Sequence, residues 1–170
     1  MLVAEVGELH ASRQPAEDPA GNTWAWGRCG ANDELACVLR RRSGRLVSRQ
    51  VFGLALWVFG ELLPDGRDGL LVVGNWYGGI DAEGRPRERF AEPEPYLAWL
   101  FPSGVLRCIL ELGSPGNELL LPAAALDRSG AAWVAGTFDR TIVVGGQNLT
   151  TRGKRDIFLV KVAAPGSSGK

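Results

Sequence analysis

Short apolar runs, separated by glycine, proline and acidic residues, dominate this chain. Thr23–Gly27 (TWAWG), Leu70–Gly74 (LLVVG) and Ala132–Gly136 (AWVAG) are β-prone and end on glycine. Leu35–Arg40 (LACVLR), Tyr96–Phe101 (YLAWLF) and Ile157–Val162 (IFLVKV) alternate or stay apolar, the pattern of half-buried or fully buried strands. No stretch sustains the spacing of an amphipathic helix. The 23 glycines and 10 prolines sit mostly between the runs, where turns are needed. The pattern predicts an all-β fold.

The runs also repeat. Asp18–Gly27 (DPAGNTWAWG), Asp65–Gly74 (DGRDGLLVVG) and Asp127–Gly136 (DRSGAAWVAG) align without gaps. Each opens with an aspartate that can accept a hydrogen bond from the backbone two residues on, and the glycines among the turn residues supply positive φ. A second block recurs as Glu34–Gly44 (ELACVLRRRSG), Glu94–Gly104 (EPYLAWLFPSG) and Asp156–Gly166 (DIFLVKVAAPG). Its acids, Glu34, Glu94 and Asp156, are expected to be structural turn residues, like Asp18, Asp65 and Asp127. A third strand follows as Leu46–Gly53 (LVSRQVFG) and Val105–Gly113 (VLRCILELG), and Leu2–Gly7 (LVAEVG) reads as the same element. A fourth is expected at Thr141–Thr151 (TIVVGGQNLTT), where the second repeat instead carries the polar, proline-rich Gly79–Pro95. The expectation is a single propeller-like array of three partly degenerate four-stranded blades, roughly 1–60, 61–122 and 123–170.

Leu126–Gly166 resembles the bacterial SBBP-type repeat, a family predicted to form seven-bladed β-propellers. The resemblance falls on Asp127, Gly130, Trp133, Val134, Gly136, Phe138, Gly145, Leu149, Gly153, Asp156, Phe158 and Lys161. Asp65, Val73, Gly74 and Trp76 retain it in the second repeat, and Asp18, Gly21, Asn22, Trp24 and Gly27 in the first. It implies a propeller-type fold and, usually, an exported bacterial protein, and it implies no activity. The Asp-box of sialidase-like propellers fits less well, because Asp18–Trp24 has one residue too many between Asp18 and Gly21.

Composition narrows the function. The 19 basic and 19 acidic residues balance, which gives no broad field for nucleic acid or an anionic membrane. The longest apolar run, Val51–Leu63, contains Glu61 and two glycines and is too short to span a bilayer as a helix. Met1–Gln14 carries Glu5 and no basic region ahead of its apolar residues, so it does not read as a signal peptide. The single histidine, His10, gives no histidine cluster for a metal and no nucleophile motif around it. No phosphate-binding glycine loop is present, and no cofactor or metal is expected.

Other candidates have ordinary readings. Asp65 and Asp68 do not match a calcium loop, and Glu92 and Glu94 would need a further acid brought close by the fold to work on a glycosidic bond. Arg40, Arg41 and Arg42, with Arg45 nearby, read as a hairpin tip. Cys29 and Cys37 flank a turn and have the spacing for a hairpin disulfide in an exported protein, whereas Cys108 is left over. Asn148 matches a glycosylation acceptor but reads as a hairpin residue. Trp24 and Trp133 share one repeat position, as do Trp76 and Phe138, which assigns these rings to the core. Trp26, Trp57 and Trp99 lack aromatic counterparts, so ligand stacking is expected there first.

The sequence therefore favours a non-catalytic binding or scaffold module whose partner is a protein or a glycan. A carbohydrate-active propeller enzyme or lectin, and a truncated piece of a longer exported propeller protein, are the alternatives. Three blades form an open arc, so a homodimer completing a six-bladed ring is expected, with Gly78–Pro95 outside the seam.

Overall fold

The computed structural model describes residues 15–31, 35–54, 59–67, 69–76, 94–112, 120–144 and 147–163. These contain strands and turns, and no helix. The strands are β1 (Ala16–Glu17), β2 (Asn22–Cys29), β3 (Leu35–Arg42), β4 (Arg45–Leu54), β5 (Phe59–Pro64), β6 (Leu70–Trp76) and β7 (Glu94–Leu100), then β8 (Leu106–Glu111), β9 (Leu120–Leu126), β10 (Ala132–Phe138), β11 (Thr141–Val144), β12 (Gln147–Thr150) and β13 (Asp156–Val162).

Strands β1 to β4 form one antiparallel meander, here sheet 1, and β5 to β8 form sheet 2 in the same order. Sheet 3 has three strands in the order β13-β10-β9, and among the described strands β11 and β12 pair with each other alone. Thr141–Thr151 is therefore not the single fourth strand expected from the sequence. Thr141–Val144 turns back on Gln147–Thr150 as a separate hairpin, in which the Thr141 and Thr150 hydroxyls lie 2.9 Å apart. The expected strand at Leu2–Gly7 lies outside the described residues.

Period-two alternation explains how the sheets stack. On sheet 2, Leu70, Val72, Tyr96, Ala98 and Leu100 join Trp24, Val38 and Phe52 of sheet 1 in one core. The intervening Leu71, Val73, Leu97 and Trp99 join Ala132, Val134, Phe138 and Phe158 of sheet 3 in another. Leu70, Leu71, Val72, Leu97 and Ala98 are all 0% exposed, so both faces of sheet 2 are covered. That burial accounts for the continuous apolar runs of β6 and β7. Side-chain-to-backbone bonds also cross the sheets. Gln50 Oε1 accepts from the Leu106 N–H at 3.3 Å, and Glu61 Oε2 accepts from the Ala124 N–H at 3.2 Å.

The β2–β3 register corrects the sequence alignment by one residue. Trp76 faces Glu94 and Phe138 faces Asp156, but the equivalent Cys29 faces Leu35, not Glu34. A one-residue slip exchanges the two faces of a strand. In sheet 1 the cation Arg40 consequently sits opposite Trp24, as Lys161 sits opposite Trp133 in sheet 3.

Candidate functional site

The three repeated aspartates build one turn three times. In each, Oδ1 accepts the backbone N–H two and four residues on. The donors are Ala20 (3.0 Å) and Asn22 (2.9 Å) for Asp18, Arg67 (2.7 Å) and Gly69 (2.9 Å) for Asp65, and Ser129 (2.8 Å) and Ala131 (3.1 Å) for Asp127. Each aspartate N–H also donates to the carbonyl four residues on, closing the strand connection. Gly21 and Gly130 hold φ of 74° and 82°, values that an L side chain rarely adopts. These carboxylates satisfy backbone donors at a strand entrance, which is a structural task.

Asp18 carries the most. It is 3% exposed, and it also accepts from both the Asn22 amide (2.9 and 3.0 Å) and the Trp24 indole N–H (2.9 Å). Burial pushes its carboxyl upward, but the bonds from the Asn22 backbone, Trp24 and the Asn22 side chain outweigh it and hold the group below its usual range. Asp127 is held low chiefly by Lys161, whose Nζ lies 2.8 Å from Oδ2, and by Ser129. Asp156 accepts from the Arg152 N–H at 2.9 Å and so closes an exposed turn. Glu94 begins β7, and Glu34 lies outside the described residues.

The two sequence-predicted stacking rings that are described, Trp26 and Trp99, are not grouped at an open site. Trp99 is 4% exposed within the core between sheets 2 and 3, leaving no free face for a sugar ring. Trp26 is half-buried, with its ring edge-on to Phe52 at 5.5 Å. Trp57 lies outside the described residues. The most exposed of the described tryptophans is Trp133, 40% exposed, at the position equivalent to the fully buried Trp24. Sequence reasoning assigned both to the core, because their local patterns are the same.

Both rings carry a cation. The Arg40 guanidinium lies 5.1 Å from the Trp24 centroid, and Lys161 Nζ lies 5.2 Å from that of Trp133. Lys161 is thus held between the Asp127 carboxylate and the indole face, an arrangement that fixes a charge in place. Beside it, Leu159 and Ile157 are 66% and 79% exposed. Ala123 and Ala125 of β9 are exposed on the same face, in register with Ala135 and Trp133. This outward side of sheet 3 thus carries the two most exposed large hydrophobic side chains among the described residues, Ile157 and Leu159.

The remaining groups have local roles. Arg42 and Arg45 close the β3–β4 hairpin around Ser43 and Gly44, whose φ of 49° and 78° suit a tight two-residue turn. Arg41 Nη1 donates to the Gly44 carbonyl at 3.3 Å. No disulfide joins the cysteines: Cys29 and Cys37 are buried thiols on the far side of sheet 1, and burial pushes the Cys108 thiol upward. Among the described residues there is no cluster of three or more metal-ligating side chains, and no helix is long and apolar enough to cross a membrane. No protein-family model matches the chain, and no curated protein matches it.

Proposed function

We propose that the chain is a non-catalytic binding or scaffold module in which the three sheets are propeller-type blades. The observation that carries this reading is the arrangement of the meanders. Sheet 2 is buried between its neighbours, and the first strands β1, β5 and β9 approach one another in succession. First strands converge in this way when blades are set radially about an axis. The resemblance of Leu126–Gly166 to the SBBP-type repeat supports the same reading. The repeated carboxylates favour a scaffold over an enzyme, since Asp18, Asp65 and Asp127 are engaged by turn donors.

The competing reading is a carbohydrate-active propeller. A glycan array and a panel of chromogenic glycosides separate the two. The scaffold reading expects no turnover of any glycoside. Turnover abolished by Asp65→Asn or Glu94→Gln would overturn it.

A further inference from the structure

The two outer sides of the stack are unlike. On the far side of sheet 1, Cys29, Cys37 and Leu39 are already 7%, 0% and 8% exposed, and Leu39 lies so close over Gly27 that a Cβ there would collide with it. Exposed Arg49 faces Leu39 across the β3–β4 ladder and adds a charge to that side. On the far side of sheet 3, Trp133, Leu159 and Ile157 are open to solvent.

The repeat register says what this open side corresponds to. Trp133 and Lys161 occupy the places of Leu71 and Trp99 in sheet 2 and of Trp24 and Arg40 in sheet 1. In sheet 2 this side is packed against sheet 3, and in sheet 1 against sheet 2. The same positions thus form a sheet-to-sheet interface twice within the chain and are left uncovered the third time. The Asp127–Lys161 ion pair neutralises the one cation among them, so packing apolar surface there leaves no charge without a partner.

We propose that a second copy of this chain covers the outer face of sheet 3, the two faces packing about a two-fold axis that runs along β10. The face is self-complementary in that arrangement. Its bulk lies on β13, at Ile157 and Leu159, and its hollow lies on β9, at Ala123 and Ala125. Rotation about β10 lays the β13 ridge of each copy over the β9 trough of the other and brings the Trp133 rings together at the centre. Ile157, Leu159 and Trp133 together expose roughly 400 Å², near the largest patch an isolated monomer usually shows. With the surrounding small residues, two copies bury about 1,200 Å², the lower end of specific interfaces, so the dimer is expected in the micromolar range.

The test is sedimentation of the full 170-residue chain from about 1 to 200 µM. The apparent mass should rise with concentration from 18.3 kDa toward twice that value, while Trp133 emission shifts to the blue. Leu159→Asp and, separately, Ile157→Lys should each weaken association at least tenfold. Both side chains are mostly exposed, so circular dichroism should match the parent chain. Arg49→Glu, on the opposite side of the stack, should leave the dimer intact. A monomer throughout, a dimer indifferent to both sheet 3 variants, or a dimer broken equally by Arg49→Glu would overturn the proposal. The last result is the signature of head-to-tail rings. The inference builds on the blade reading but fails separately from it: a monomeric chain leaves the glycan and glycoside results untouched.

Discussion

Asp18 offers the sharpest test of how the repeated turn holds the fold. Replacing it with alanine removes the acceptor for three buried donors: the Asn22 N–H, the Asn22 amide and the Trp24 indole N–H. The Ala20 N–H is nearer the surface and can turn to water. A buried donor left unpaired costs about 1–3 kcal/mol, and the Asn22 amide can rotate to recover part of its loss, so about 3–5 kcal/mol is expected in total. That is a large share of the roughly 5–15 kcal/mol that holds a domain together. Asp65→Ala frees only the exposed Arg67 N–H and the partly buried Gly69 N–H, which sets its cost near 1 kcal/mol. Urea unfolding followed by tryptophan fluorescence measures both. With a slope of about 2 kcal/mol per molar urea, the midpoint should fall by about 2 M for Asp18→Ala and by about 0.5 M for Asp65→Ala. Asp18→Asn, which keeps the shape but sets an amide among the donors, should fall between them. Equal shifts for the two alanine variants would refute the claim that the first turn is a buried polar anchor.

Acid should destabilise the protein through the same turns. The carboxyls of Asp18 and Asp127 are lower in the folded state than in the unfolded chain, so their contribution is complete above about pH 5 and is lost as the pH falls below about 4. Urea midpoints at pH 7 and pH 3 should show the loss, and Asp18→Ala should shrink the difference. Gly104 holds φ of 83° and a Cβ there would collide with the Ser48 side chain, so Gly104→Ala should cost about 1–3 kcal/mol in a thermal melt. Gly66, at φ 73° with open space around it, should cost about 1 kcal/mol when changed to alanine.

The middle strands of each sheet were legible because their signals are local. An aspartate, a glycine and an apolar run define the entrance to β2, β6 and β10, and all three turns form with the same hydrogen bonds. The first strands were not legible, for different reasons. β1 is two residues long, β5 merges in sequence with the apolar end of β4, and β9 is rich in alanine and contains Pro122. Pro122 has no N–H to give the ladder, and the β9–β10 register shifts at that point, as an edge strand allows. Glu34 imitated Glu94 and Asp156 because a one-residue slip leaves the composition of the following run unchanged while exchanging the faces of its strand, Leu35–Arg42. The exposure of Trp133 was hidden for a reason of scale. Its surroundings in sequence match those of Trp24, and what differs is the packing above the ring: sheet 2 covers Trp24, whereas the face of sheet 3 that carries Trp133 is open.

The serial packing of the three sheets is the central claim, and native-state hydrogen exchange tests it most directly. A sheet covered on both faces exchanges only when a neighbour comes away or the whole domain opens. The slowest amides should therefore fall in Leu70–Val73 and Tyr96–Leu100, with β13 exchanging sooner along its outer edge. Slowest exchange confined to sheet 1 or sheet 3, with β6 and β7 unprotected, would contradict a stack centred on sheet 2.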